Sequence, residues 1–211
     1  MMKKSSLVPA LWFHGLALSV LAPTCLHAQQ SKMPEPWQGA GKLPWPKMDW
    51  LEGTSKRLEK AKALSQQSSE METLITRAAD LLEQARQARE DQFRSGRYLA
   101  AANALMDSID RIYWSRKVDH TPQEQDFWGA GFVLQGCYFR VRQVDYFASQ
   151  SGVRNADPYI TLSRSLYQQG RSAYDAKEFQ RARLMGEASS FIVFALECIA
   201  QAAMPDPHIY K

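Results

Sequence analysis

The sequence of 211 residues predicts an all-α protein of five or six antiparallel helices, packed as stacked helical hairpins or as an irregular bundle. Two observations lead to this fold class. From Thr54 onward, apolar residues recur at alternating steps of three and four, the period of an amphipathic helix, and no stretch shows the period of two that marks a strand. Short polar or proline-containing breaks separate the periodic stretches, and short connections make successive helices antiparallel neighbours.

Residues 1–28 have the form of an export signal. Two lysines precede an apolar run over residues 7–22, and a small residue, Ala28, stands at a suitable cleavage position. The run is shorter than the ~20 residues that a membrane-spanning helix needs. We therefore expect cleavage after Ala28, a periplasmic or secreted location, and no transmembrane span in the mature chain. A retained anchor and lipid attachment at Cys25 are the alternatives.

Residues 29–53 form an N-terminal arm rich in proline and tryptophan. Proline lacks a backbone donor and fixes φ, so dense prolines prevent a helix and favour extended backbone. Because tryptophan is unusual in disordered segments, we expect the arm to cover part of its own helical domain. Docking of its indoles into a groove of another protein is the alternative. The residues concerned are Pro34, Pro36, Pro44, Pro46, Trp37, Trp45 and Trp50.

The helical domain is predicted to span residues 54–204. Its first periodic stretch, residues 54–93, is either one long helix or two helices with a break near Ser69. Ser69 and Glu72 fit a capping box, which would begin a second helix there. Gly96 is expected to end this stretch as a C-terminal glycine.

Four further helices complete the domain. Thr121 and Pro122 mark the start of one, since threonine caps a helix and proline suits its first position. Asp157 is expected to cap the next, and Pro205 ends the last and leaves residues 205–211 as a C-terminal tail. The predicted ranges are about 97–114, 122–150, 158–176 and 178–204.

Two stretches of the sequence resemble each other, residues 93–101 and residues 174–182. Each has an aromatic residue, a tight turn, a second aromatic residue and then an alanine. The residues in these positions are Phe93, Tyr98 and Ala101 in the first unit, and Tyr174, Phe179 and Ala182 in the second. Together with Gly170, this pattern resembles the tetratricopeptide-repeat family. The resemblance implies stacked helical hairpins that present a protein-binding surface, and family membership carries no catalytic residues.

We therefore expect an adaptor or accessory subunit that binds another exported or envelope protein, with exposed aromatic side chains as anchors. A structural role in an envelope assembly is an alternative, and self-association would cover an open end of a short helical stack. The candidate surface residues are Tyr98, Tyr113, Trp114, Tyr167 and Tyr174.

A second class of function is the binding of an apolar small molecule inside the bundle. Trp128, Phe132 and Phe194 would line the pocket, and Arg142 or Glu197 would be its polar group. Glu197 lies in a helix that is apolar on nearly all sides, and such a helix is usually central in the fold. The simpler interpretation is that Glu197 occupies the one polar stripe of that helix.

No pattern in the sequence predicts catalysis, a cofactor or a metal. The 26 Lys+Arg and 22 Asp+Glu leave a net charge of +4, which falls further when the signal is removed, so we expect no nucleic-acid partner. The chain has no glycine-rich phosphate loop and no paired-cysteine motif. Asp119, His120 and Glu124 are close in sequence but lack zinc-ligand spacing, and a solvated loop is the better interpretation. We expect no enzymatic activity.

Cys137 and Cys198 are the cysteines that remain after cleavage. An oxidising compartment allows a disulfide between them. Two buried free thiols on different helices are an equally good interpretation, because a sequence contains no information on Cβ geometry.

Overall fold

The computed structural model describes residues 49–65, 68–118, 124–150 and 153–204. This part of the chain contains six helices and no strand, and 87% of it is helical, which confirms the all-α class. The predicted signal peptide, most of the arm, the Thr121-Pro122 helix start and the C-terminal tail lie outside it. The helices are α1 (Asp49–Ser65), α2 (Ser69–Gln87), α3 (Gln92–Ser115), α4 (Glu124–Ala148), α5 (Asp157–Asp175) and α6 (Phe179–Ala203).

The first periodic stretch contains two helices, which is one of the two alternatives that the sequence left open, and the break lies near Ser69. The predicted capping box, however, is wrong. Ser69 is already helical, and the cap position belongs to Ser68, whose extended backbone precedes α2 and whose side chain makes no capping hydrogen bond. The Ser68 carbonyl accepts a hydrogen bond from the Glu72 amide at 3.0 Å, so the backbone alone begins the helix.

α1 begins earlier than predicted, so the last residues of the predicted arm are helical. After Pro46 the sequence has no proline until Pro122, and nothing therefore stops the helix from extending back to Asp49. Trp50, one of the arm's tryptophans, is exposed on α1.

The prediction that Gly96 ends a helix is also wrong. α2 ends at Gln87, and Asp91 caps α3 by accepting a hydrogen bond from the Arg94 amide at 2.9 Å. An aspartate cap is a strong start signal, and a glycine inside a helix costs only about 1 kcal/mol, so Gly96 lies within α3. Asp157 likewise is the first residue of α5, and the position before it belongs to Ala156.

Of the two predicted repeat units, only the second forms a helical hairpin. In the first, Phe93 and Tyr98 lie in the same helix, so no turn separates them. In the second, Tyr174 ends α5, a turn with Lys177 at φ 64° reverses the chain, and Phe179 begins α6. The two rings meet at a centroid distance of 5.4 Å, as a helical hairpin requires.

α6 is the central helix of a bundle. It packs most extensively against α3, and also against α5 and α4, whereas α3 has no extensive contact with α4. A linear stack of hairpins would place α3 against α4, so the architecture is bundle-like. Two buried serine hydroxyls connect α6 to its neighbours: Ser108 donates to the Ala188 carbonyl at 3.0 Å, and Ser189 to the Ser163 carbonyl at 2.6 Å.

The composition of α6 follows from this position. By length and composition, α6 is the one helix in the described residues that could cross a membrane. Three helices cover it, and side chains such as Ile192, Val193 and Leu196 are fully buried. Packing inside the protein therefore accounts for its apolar character.

α1 packs on α2 and α3 and makes no extensive contact with α4. A polar cluster holds it there. The Arg57 guanidinium donates to Asn103 at 3.2 Å, to Asp107 and to Asp110 at 3.3 Å, all on α3.

Small residues set the distance between α5 and α6. A Cβ added at Gly170 would lie 3.0 Å from Leu134 Cδ2 and 3.2 Å from the Ala182 carbonyl oxygen. A Cβ at Gly186 would lie 3.2 Å from the same leucine atom. Leu134 of α4 thus fills a space that exists because both glycines lack a side chain.

We predict opposite effects for two glycine-to-alanine substitutions. Gly170→Ala overpacks the α4–α5–α6 junction and should lower the free energy of unfolding by about 1–2 kcal/mol. Gly96→Ala adds a methyl group that meets nothing within 4 Å and should raise it by about 0.5–1 kcal/mol. Urea denaturation followed by far-UV circular dichroism measures both. Destabilisation by Gly96→Ala would contradict the position of Gly96 inside α3.

Candidate protein-binding surface

α4 carries a row of exposed aromatic side chains, which we call the α4 ridge: Trp128, Phe132, Phe139 and Tyr146. Their exposed fractions are 79%, 78%, 58% and 63%. The steps of four, seven and seven residues keep these side chains on one side of the helix. A row of exposed aromatic side chains along one helix is typical of interaction surfaces in folded proteins.

The ridge exists because α4 has two apolar stripes on opposite sides. The inner stripe packs onto α5 and α6 and consists of Ala130, Leu134, Cys137 and Val144. A helix that is apolar all round is normally buried all round. α4, however, lies at the edge of the bundle, with neighbours on one side, so its second stripe faces outward.

Two glycines interrupt the surface of α4 beside the ridge. A Cβ added at Gly129 or Gly136 would meet nothing within 4 Å. Gly136 is one turn from both Phe132 and Phe139, so a notch at backbone level separates these two rings. Another side chain can therefore approach the α4 backbone closely at this point.

A groove of about 420 Å³ lies between α4 and α5, and we call it the tyrosine groove. The rings of Tyr138 and Tyr167 face each other across it with centroids 6.2 Å apart. The Arg142 guanidinium donates a hydrogen bond to the Tyr138 hydroxyl at 3.3 Å and lies over its ring. The lining residues are Gly131, Leu134, Gln135, Tyr138, Tyr167, Arg171 and Tyr174.

On the other side of α4, a smaller depression of about 250 Å³ runs along α6. Its charged groups are already paired. Arg140 lies 3.9 Å from Glu197, and Glu187 pairs with Arg111 at 2.6 Å and with Arg183 at 3.7 Å.

The predicted surface residues fall into two separate places. Trp114 is 54% exposed on α3, and its ring meets the Tyr113 ring edge-on. Tyr98 and Tyr113 are half-buried and pack against the core. Tyr167 and Tyr174 are also half-buried, but they line the tyrosine groove. The structure therefore brings together two of the five candidates and leaves the α3 residues apart.

The predicted apolar pocket is not formed by the residues proposed for it. Trp128 and Phe132 belong to the ridge, and Phe194 and Arg142 are exposed as well. Glu197 is half-buried and pairs with an arginine, so it is the polar-stripe residue of the simpler interpretation. These residues lie on an open surface because α4 is an edge helix and does not enclose a cavity.

Sequence reasoning missed Phe139, Tyr146, Gln135 and Arg171. A signal for the first two is present. Phe132, Phe139 and Tyr146 are spaced by seven residues, and a second apolar series on α4 passes through Leu134. Two such apolar series in one helix indicate two contact faces. Arg171 has no such signal, because its role depends on the position of α5 relative to α4.

Cys137 and Cys198 are buried free thiols. Cys137 of α4 lies next to Ser189 and Ser190, whereas Cys198 lies near Arg97 of α3. More than two turns of α6, or about 13 Å along its axis, separate Ser189 from Cys198. A disulfide needs Cα atoms within roughly 7 Å, so the bridge that the sequence allowed does not form in this fold.

Burial raises the pKa of both thiols, and it raises that of Cys198 to about 11. For Cys137, the neighbouring serines and Arg140 oppose this effect without cancelling it. The reactive thiolate is therefore scarce at neutral pH, which is typical of structural cysteines.

Among the described residues, no group of three His, Cys, Asp or Glu side chains could hold a metal ion. Asp119 and His120 of the cluster considered in the sequence lie outside this part of the chain. Comparison of the chain with protein-family models, with curated proteins and with solved structures finds no match.

We predict that Cys137 and Cys198 resist alkylation in the folded protein. At pH 8 about one Cys198 in a thousand is a thiolate, and both sulfurs are shielded by packing. Iodoacetamide treatment of the chain from Gln29, with and without urea, followed by peptide mass spectrometry, should show modification of both residues only after unfolding. Recovery of a Cys137–Cys198 cross-linked peptide without reductant would contradict the free-thiol assignment.

We also predict a loss of stability at alkaline pH that depends on Cys198. The unfolded thiol ionises near pH 8.5 and the folded one near pH 11, so this contribution is complete below pH 8.5 and declines as the pH rises toward 11. Between pH 8 and pH 11, Cys198→Ala should lose about 1–3 kcal/mol less stability than the unmodified sequence. Equal losses in the two proteins would refute the assignment.

Proposed function

We propose that this chain is an exported protein-binding adaptor or accessory subunit, and that the α4 ridge is its contact surface for another exported or envelope protein. The observation that carries the proposal is the outward stripe of four large aromatic side chains on an edge helix. The export address rests on the N-terminal sequence signal.

The composition of the ridge supports binding over simple exposure. Tryptophan, tyrosine, phenylalanine and arginine are the residues enriched in the energetic centres of interfaces. Apolar surface left in water forgoes the roughly 25 cal/mol per Å² that its burial would contribute. A partner that covers Trp128 and Phe132 recovers this free energy on binding.

The shape of the surface indicates how a partner binds. The ridge and the Gly136 notch form a raised apolar row with a gap, which suits the side chains of an amphipathic helix or of an extended segment packed along α4. Such a segment would contact Phe132 and Phe139 together, because one helical turn separates each of them from Gly136.

The experiment compares a ridge variant with a matched control in affinity purification from the cell envelope. Trp128→Gln combined with Phe132→Gln removes the two most exposed rings, and Trp114→Gln removes an exposed indole elsewhere. The tagged wild type and Trp114→Gln should recover one stoichiometric partner. The ridge variant should recover at least tenfold less of it, since interface anchors contribute 2 kcal/mol or more each.

Stability measurements separate a binding defect from a folding defect. The ridge side chains are exposed, so the double variant should unfold within about 0.5 kcal/mol of the wild type in urea. Undiminished recovery of the partner by the stable ridge variant would overturn the proposed function.

A further inference from the structure

The tyrosine groove contains positive charge that forms no ion pair with the described carboxylates. Arg171 lies in its wall and forms no ion pair with any described residue. Arg142 donates to the Tyr138 hydroxyl, a neutral partner, and likewise forms no ion pair with a described carboxylate.

Neighbouring arginines behave differently. Arg164 pairs with Asp145 at 2.6 Å, Arg181 pairs with Glu178 at 2.9 Å, and Arg140 lies near Glu197 on the far side of α4. Asp145, Glu178 and Glu197 are thus paired with arginines outside the groove. Arg171 in the groove wall and Arg142 beside the groove residue Tyr138 are therefore the cations available to a bound anion.

The groove also provides neutral hydrogen-bond donors beside these cations. Tyr167 and Tyr174 carry hydroxyls, and Gln135 carries a side-chain amide. A guanidinium binds a carboxylate through two parallel hydrogen bonds, and hydroxyl or amide donors can complete its solvation. The tyrosine rings and Leu134 offer apolar contact to the carbon atoms that precede the carboxylate.

Gly131 keeps this groove open. A Cβ at this position would lie 3.3 Å from the Tyr174 hydroxyl oxygen, so a larger residue would press on that hydroxyl. The available volume, about 420 Å³, suits one or two side chains rather than a whole helix.

The groove and the ridge adjoin each other on α4. Gln135 lines the groove and is one helical turn from both Phe132 and Phe139 of the ridge. A single segment can therefore pack apolar side chains on the ridge and direct a neighbouring side chain into the groove.

We propose that the tyrosine groove binds an aspartate or glutamate side chain of the partner protein, and that the recognised segment is acidic and amphipathic, with its apolar residues on the α4 ridge. This inference rests on the proposed function and names the chemistry of the partner. Charge complementarity with Arg142 and Arg171 is the observation that selects an acidic segment over a neutral or basic one.

The experiment selects a phage-displayed library of random peptides on the immobilised chain from Gln29. Four proteins are compared: the wild type, Arg171→Glu, Arg89→Glu and the ridge double variant. Arg89 is an exposed arginine in the α2–α3 turn, so its variant makes the same charge change away from the groove.

Wild type and Arg89→Glu should enrich peptides with Asp or Glu next to aromatic or aliphatic residues, and Arg171→Glu should shift the enrichment toward Lys or Arg. The best acidic peptide should bind the wild type at least tenfold more tightly than its Asn or Gln analogue. Against Arg171→Glu, this difference should disappear.

Any other result contradicts the inference. The ridge double variant then shows whether the proposed function is contradicted as well. If peptides bind through the ridge without an acidic preference, the groove assignment fails and the function stands. If the ridge variant captures the same peptides as the wild type, both fail. Equal effects of Arg171→Glu and Arg89→Glu would indicate non-specific charge attraction.

Two other occupants of the groove would also overturn it. In the predicted arm, Glu35 lies two residues before Trp37. If the wild type binds no peptide and the Glu35→Gln variant does, the protein's own arm occupies the groove. If light scattering shows a dimer that Arg171→Glu dissociates, the groove belongs to a second copy.

Discussion

The packing of α6 between α3, α4 and α5 is the constraint on which the rest of the structure depends. α6 can lie there because small residues, such as Gly186 and Ala182, bring the surrounding helices close to it. Buried serine hydroxyls bond across its two largest interfaces: Ser108 of α3 donates to the Ala188 carbonyl of α6, and Ser189 of α6 donates to the Ser163 carbonyl of α5. With α6 in the middle, α4 and α5 become the outer helices on one side, and α1 becomes the outer helix on the other.

Because α4 lies at the edge of the bundle, one of its apolar faces is exposed to solvent. Its inner stripe is used by the core, and its outer stripe has no neighbour among the described helices. The same arrangement opens the tyrosine groove, because α4 and α5 share a narrow contact around Gly170 and Leu134 and then diverge around larger rings. Ridge and groove are therefore two results of one packing geometry.

The helical class and a count of five or six helices were predictable, because periodicity depends on local spacing that a sequence displays directly. The choice between one helix and two over residues 54–93 was not. Helix ends were predicted less well where two signals competed. Asp91 and Gly96 are both residues at which a helix boundary is common, and the aspartate cap determines the start of α3.

The sequence predicted Tyr167 and Tyr174 of α5 as candidate surface residues. It did not predict the contact between the Tyr167 and Tyr138 rings. That contact depends on how closely α4 and α5 approach, which is set by atoms of three helices at once. The same reason explains why Trp128 and Phe132 were assigned to a pocket and lie on a ridge.

Arg57 illustrates a further consequence of this layout. α1 rests on α2 and α3 and is held to α3 by polar contacts that water partly reaches, whereas α6 is enclosed by apolar side chains. The amide hydrogens of α1 should therefore exchange with solvent through local opening, while those of α6 exchange only with global unfolding. Because α1 makes no extensive contact with α4 or α5, such opening leaves the ridge and groove assembled. α1 can therefore detach locally while the helices that carry the ridge and the groove stay folded.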